Sequence, residues 1–252
     1  MTEVELSRIE DAGLNASAPP QQRWLDGWLV RLSPGKAKRA RCINAVAAGR
    51  RPLAAKLAEC ERLYRDAGLP LMIRITPFTQ PLGLDAELAA CGFEIVDDTR
   101  VMVLSALRPS EPVPLPAGMV WTSLTALDFA QAVGALRGTP AAVREAHGLR
   151  LAAAPVPAEA FAILREDGLV LACGQFVREG GLVGLYDLHT RDEVRGQGLA
   201  SHLCQRLLSI SANAGADIAY LQVDSANTNA RRIYHRLGFA DGYAYHYREL
   251  PA

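Results

Sequence analysis

The stretch D-E-V-R-G-Q-G-L-A-S-H-L at 192–203, set between an apolar strand pattern and an amphipathic helix pattern, constrains this chain more than any other. Gly196 and Gly198 let the backbone approach a ligand with no side chain in between. Their N–H groups, with those of the first helical turn, form a cradle for phosphate oxygens, and Arg195 adds a positive charge. A glycine turn that only reverses the chain would look the same in isolation. The loop lacks both the G-K-[ST] of a P-loop and the longer G-x-G-x-x-G of a dinucleotide site, which argues against nucleotide binding.

The surrounding pattern alternates strands and helices. E-A-F-A-I-L-R-E-D-G (159–168) and L-V-L-A-C-G-Q-F-V-R-E-G-G (169–181) read as a hairpin pair turning at Asp167-Gly168 and Gly180-Gly181. L-V-G-L-Y-D-L-H-T (182–190) follows as a third strand. A helix begins near Gly198, carries Leu199, Leu203, Leu207 and Ile210 at helical spacing, and ends at 213–215. I-A-Y-L-Q-V (218–223) is a strand, and 228–236 is a short helix with Ala230, Ile233, Tyr234 and Leu237 on one face. Y-A-Y-H-Y-R-E-L closes the chain as a strand. The order predicts an α/β fold with a mixed central sheet flanked by helices.

R-P-S-E-P-V-P-L-P at 108–116 places four prolines in eight residues from Pro109, a run that disfavours helix and central strand and behaves as an extended spacer. The predicted division is therefore a domain over 1–108, a linker over 109–118 and a second domain over 119–252. The first half repeats the ending of the second in outline: a helix over 53–66, a strand over 71–76 and a helix near 84–91. Gly68 to Phe93 spans one residue more than Gly215 to Phe239, a correspondence that points to duplication, with chance likeness of two such units as the other reading. The copy lacks spaced glycines, reading A-G-R-R-P-L at 48–53, and has Leu88 where the other half has Tyr234.

Lysine plus arginine and aspartate plus glutamate number 27 each. Without a basic excess, neither nucleic acid nor an anionic membrane is an expected partner. The five cysteines are scattered and never closer than 18 residues, so neither a disulfide framework nor a C-x-x-C metal pair is expected. The acidic start lacks a signal peptide's apolar stretch, and a cytoplasmic setting with no metal fits best.

Downstream of the loop stands V-D-S-A-N-T-N-A-R-R-I-Y-H-R-L-G-F (223–239). R-G-Q-G-L-A and N-T-N-A-R-R-I-Y-H-R-L-G-F, in this order and spacing, resemble the GNAT superfamily of N-acetyltransferases over about 119–252. Asn227 and Ala230 stand seven and four residues before Tyr234, as in the family pattern. One departure is Glu193, where the family often has Gln or Arg. R-W-L-D-G-W-L-V-R-L…R-A-R-C-I-N-A-V (23–46) resembles the leading half of two-domain bacterial members. The resemblance implies acetyl-CoA as acyl donor and an amine on a small molecule or peptide as acceptor. It further implies that Leu188, His189 and Thr190 offer backbone groups to the pantetheine arm and acetyl carbonyl, an oxyanion-type role. Arg195, Gly196, Gln197, Gly198, Leu199, Ala200 and Ser201 would hold the pyrophosphate, and Asn227 and Tyr234 would also meet the cofactor.

Tyr234 is the candidate general acid, since a phenol with a pKa of about 10 stays protonated near neutrality. A core tyrosine on an apolar helix face is the alternative. For the general base, strand alternation puts Leu185, Asp187 and His189 on one face, and either Asp187 or His189 can take the proton; a solvated polar edge explains them equally well. His246 is placed either at the acceptor site or in a cross-strand aromatic pair. An inactive acyl-CoA-binding regulatory or scaffolding protein is the competing function, and a homodimer is compatible with either.

Overall fold

The computed structural model describes residues 1–34 and 37–251, the Val4 side chain excepted. They form two compact units whose segments alternate along the chain. The C-terminal unit comprises Met1–Ala16, Met102–Val223 and Asn227–Gly242; the N-terminal unit comprises Ser17–Val101, Asp224–Ala226 and the segment from Tyr243 onward. The first helix, α1 (Glu3–Ala16), thus belongs with the C-terminal unit.

In the N-terminal unit, β1 (Gln22–Leu25), β2 (Trp28–Arg31) and β3 (Ile43–Ala45) pair antiparallel in sequence. Helix α2 (Leu53–Asp66) then crosses over to β4 (Met72–Ile75), which lies parallel to β3. A parallel pair needs such a crossover, because a tight turn can only reverse the chain. Helix α3 (Leu84–Ala90) and β5 (Glu94–Leu104) follow, β5 belonging to this unit up to Val101. Leu57, Cys60 and Tyr64 of α2 and Leu84 and Leu88 of α3 meet Val30, Ile43 and Ile73 of the sheet in one core.

The C-terminal unit repeats the plan. β6 (Met119–Leu124), β7 (Ala158–Arg165), β8 (Val170–Glu179) and β9 (Leu182–Thr190) pair antiparallel in order. Between β6 and β7 lie α4 (Ala126–Leu136) and α5 (Ala141–Ala152). Helix α6 (Leu199–Asn213) crosses over to β10 (Ile218–Asp224), parallel to β9, and α7 (Thr228–Arg236) follows. Leu199, Leu203 and Leu207 of α6 cover one sheet face at Phe176, Val183 and Leu185, whereas Phe129 and Val133 of α4 cover the other at Ala162 and Cys173. Antiparallel strands, a helical crossover and a parallel strand therefore occur twice, as the mixed α/β reading and the duplication require.

Two features depart from the expected division. The last strand, β11 (Ala240–Glu249), pairs antiparallel with β4 from His246↔Ile75 to Glu249↔Met72, so the C-terminal end of the chain completes the N-terminal unit's sheet. The boundary near residue 101 falls inside β5, not in the proline-rich segment. That segment is irregular but held against α6: the Ser110 carbonyl accepts from Ser209 Oγ (2.6 Å) and Asn213 Nδ2 (3.1 Å), and the Val113 carbonyl from Arg206 Nη1 (2.7 Å). Prolines supply no N–H for a ladder, so α6 side chains satisfy the carbonyls that a strand partner would otherwise meet. Among the described residues, no helix is long and apolar enough to cross a membrane.

Candidate active site

The loop ahead of α6 has the backbone geometry its glycines call for. Gly196 and Gly198 have φ of 79° and 82°, and Gly198 is the N-cap of α6. A side chain at either position would be strained whatever the space around it. The loop is anchored upstream, where the Arg191 N–H donates to the Leu171 carbonyl (2.8 Å) and Arg191 Nε to the Val170 carbonyl (2.8 Å). Among the described residues, no acceptor meets the backbone N–H groups of Gly196, Gln197, Gly198, Leu199 and Ala200; the first paired ones are those of Ser201 and His202, both to the Gly198 carbonyl. Five consecutive donors at the positive end of a 15-residue helix make a site for an anion. Arg195 is exposed and bridges Asp192 at 2.6 Å, so its charge is already partly neutralised.

In β9 the expected alternation breaks. Gln175 of β8 faces Tyr186, yet Cys173, two residues away, faces His189, three residues on. β9 therefore carries one extra residue, a β-bulge. Asp187 takes it up in the left-handed region, with φ of 52°. Leu185 and Leu188 turn to the α6 side, where a Cβ on Gly174 would lie 2.5 Å from Leu188 Cδ2. Asp187 and His189 do share the opposite face, as expected, but Leu185 does not accompany them; Tyr186 does. The extra residue shifts the register by one, which flips every later side chain relative to a regular strand.

On that face Asp187 is held from three elements. Arg137 Nη1, at the C-cap of α4, donates to Oδ1 at 2.9 Å; Gln175 Nε2 donates to Oδ2 at 3.0 Å; His147 Nε2 of α5 lies 3.6 Å from Oδ2. Burial alone would raise the Asp187 carboxyl, but the charge of Arg137 and its hydrogen bond outweigh it and leave the carboxyl below its ordinary value. His147 and His189 both shift downward, foremost through burial. For His189 the charges of Arg137 and Arg195 push the same way, against Asp192 and the Leu136 backbone. Both rings are thus neutral at neutral pH, and a neutral imidazole can accept a proton. Arg137 and His147 are additions that the sequence reading did not contain.

The remaining candidates lie on α7. Asn227 is its N-cap, and Oδ1 accepts from the Ala230 N–H at 3.1 Å, which leaves the amide NH2 for a ligand. Tyr234 packs against the α6-side core that also holds Leu188, with its ring edge-on to Phe239 at 6.1 Å. Its hydroxyl has no hydrogen-bond partner among the described residues. Burial, reinforced by Cys204, raises the phenol well above its ordinary value. The outer side of α7 is basic, with Arg231, Arg232, His235 and Arg236 lining a shallow groove of about 600 Å³. His246 lies elsewhere, in the N-terminal unit, where Nε2 is 2.9 Å from Asp85 Oδ1.

Residues 127–239 match the Acetyltransferase (GNAT) family. Over 233 residues the chain is 26% identical to the uncharacterized N-acetyltransferase YobR of Bacillus subtilis (strain 168), covering 90% of this chain and 91% of the relative. Among solved structures, a GCN5-related N-acetyltransferase from Kribbella flavida superposes with a TM-score of 0.71 at 18% identity, over 98% of this chain and 95% of that one. A tandem GNAT protein from the clavulanic acid biosynthesis pathway superposes with a TM-score of 0.63 at 16% identity, over 81% and 72%. The loop, the bulged strand and the helix bearing Asn227 and Tyr234 all fall inside the matched segment, and residues 127–239 form a domain of the acetyltransferase (GNAT) family.

Proposed function

We propose that the C-terminal unit transfers the acetyl group of acetyl-CoA to a primary amine on a small molecule or peptide. The observation that carries this reading is the row of five unpartnered backbone N–H groups from Gly196 to Ala200, built to receive the donor's pyrophosphate. Arg195 and Ser201 flank that row, and Asn227 offers its free amide to the pantetheine arm. The backbone of Leu188, His189 and Thr190, redirected by the bulge, meets the acetyl carbonyl, where negative charge develops during attack.

His189 serves as general base and Asp187 does not. The Asp187 carboxylate is occupied by Arg137 and Gln175 and is depressed in pKa, both of which make it a poor proton acceptor. His189 is neutral and takes the amine proton as nitrogen bonds to the carbonyl carbon. The sulfur then departs as thiolate. Tyr234 hydrogen-bonds to it and supplies a proton, and the phenol is restored from solvent. Because burial weakens the phenol as an acid, its main service is to stabilise the developing charge on sulfur.

The test is thiol release and acetyl-CoA consumption, followed by mass spectrometry, against a panel of amines. Amine-dependent turnover is expected, and acetyl-CoA should raise the melting temperature. Gly198→Asp, which sets a carboxylate and a strained φ at the cradle, should abolish that rise. Binding with no turnover on any amine would instead favour a regulatory acyl-CoA-binding role.

A further inference from the structure

Asp187, Arg137, Gln175 and His147 come from a strand, a helix end, a second strand and a second helix, and they meet at the one place where β9 leaves regular geometry. Left-handed φ is uncommon outside glycine, and a non-glycine residue holds it when its surroundings determine it. Here they do. Arg137 and Gln175 take one carboxylate oxygen each, and both are far along the chain, at 50 and 12 residues. The same Arg137 bears on His189, whose charged environment also includes Arg195 and Asp192. The next residues along the chain, Leu188 to Thr190, are those whose direction depends on the bulge.

We infer that the Arg137–Asp187 pair is a latch that fixes the β9 bulge, so that Arg137 acts as a positioning residue for the donor site without touching the donor. The latch aims the 188–190 backbone at the acetyl group and keeps a positive charge beside His189. The inference rests on the proposed donor site in this unit.

The experiment compares Arg137→Met and Arg137→Lys by calorimetric titration with acetyl-CoA and by the pH dependence of kcat/KM. Arg137→Met is expected to weaken acetyl-CoA binding about tenfold or more, the scale of a lost charged hydrogen bond. It should also move the acid-side limb of the rate profile to higher pH, since the charge opposing protonation of His189 is gone. Arg137→Lys should recover most of both. Should Arg137→Met not fold, Asp187→Asn, which keeps the side-chain shape but breaks the ion pair, carries the same expectation for affinity. A folded variant with wild-type affinity, or an unmoved limb in Arg137→Met, overturns the latch. Failure of the wild type to bind acetyl-CoA would overturn the donor site itself, a result distinct from either.

Discussion

The Asp26 carboxylate accepts the backbone N–H of Arg51 at 2.8 Å, two residues before α2, and the N–H of Arg50 at 2.9 and 3.0 Å. These donors stand ahead of the N-terminal unit's crossover helix, as Gly196 to Ala200 lead into the first turn of α6. In the C-terminal unit the donors are open; in the N-terminal unit the chain's own carboxylate closes them. The closure is reinforced by the buried Lys56, which donates to the Asp26 carbonyl at 2.8 Å, lies 3.6 Å from its carboxylate, and sits 4.1 Å from the Trp28 ring. Gly49 admits the contact, for a Cβ there would lie 2.2 Å from the Asp26 carbonyl oxygen.

A cradle already filled by a carboxylate leaves no room for a pyrophosphate, so the intact chain should bind a single acetyl-CoA. Calorimetric stoichiometry near one for the wild type, and no saturable binding in Gly198→Asp, is the expected pair of results. A residual site in Gly198→Asp would place donor binding in the N-terminal unit.

Acid should loosen this closure. The N–H groups of Arg51 and then Arg50 hold the Asp26 carboxyl below its ordinary value, against burial and with help from Lys56. A group whose folded pKa is depressed contributes stability that is present above its unfolded value, about 3.9, and is lost as pH falls through the folded one. Melting temperature followed from pH 6 to pH 2 should fall less steeply in Asp26→Asn than in the wild type, and parallel curves would refute the contribution.

The two candidates for the base separate by kinetics. His189→Gln is expected to lower kcat by roughly 10²–10⁴-fold with little change in acetyl-CoA affinity, the usual loss for a general base. In the wild type, activity should climb as pH rises through a value below the ordinary histidine pKa, because burial and the Arg137 and Arg195 charges favour the neutral ring. An undiminished kcat in a folded His189→Gln protein would rule the ring out.

The parts of this site that sequence reveals are those with a local cause. Gly196, Gly198 and the i, i+4 spacing from Leu199 define a loop and helix within a few residues, and both occur where expected. The bulge also left a trace: Val183, Leu185 and Leu188 are spaced by two and then three, and strict alternation hid it. Two unforeseen helices carry local signals as well. Thr2 and Glu5 cap α1 reciprocally, and Thr125 Oγ1 accepts from the Asp128 N–H ahead of α4. Arg137 and His147 offer no such signal, because only tertiary packing brings them to Asp187. The pairing of β11 with β4 is equally silent, since an alternating strand pattern does not say which sheet it joins.

Tyr234→Phe isolates the chemistry of one oxygen. The ring's packing against Phe239 and the α6-side core is kept by phenylalanine, which has the same ring and loses no volume that would open a cavity. The hydroxyl has no partner among the described residues, so its removal strands no buried donor or acceptor, and melting temperature should stay within a degree or two, about the scale of a substitution worth under 0.5 kcal/mol. Acetyl-CoA affinity should likewise hold, because the pyrophosphate cradle lies on α6. Turnover is where the loss should appear, at roughly 10²–10⁴-fold, with kcat and kcat/KM falling together as they do when an interaction made only in the transition state is removed. The contrast with a packing role is direct. A tyrosine held for its ring would leave kcat intact in the phenylalanine variant, and full activity there would assign protonation of the thiolate to water.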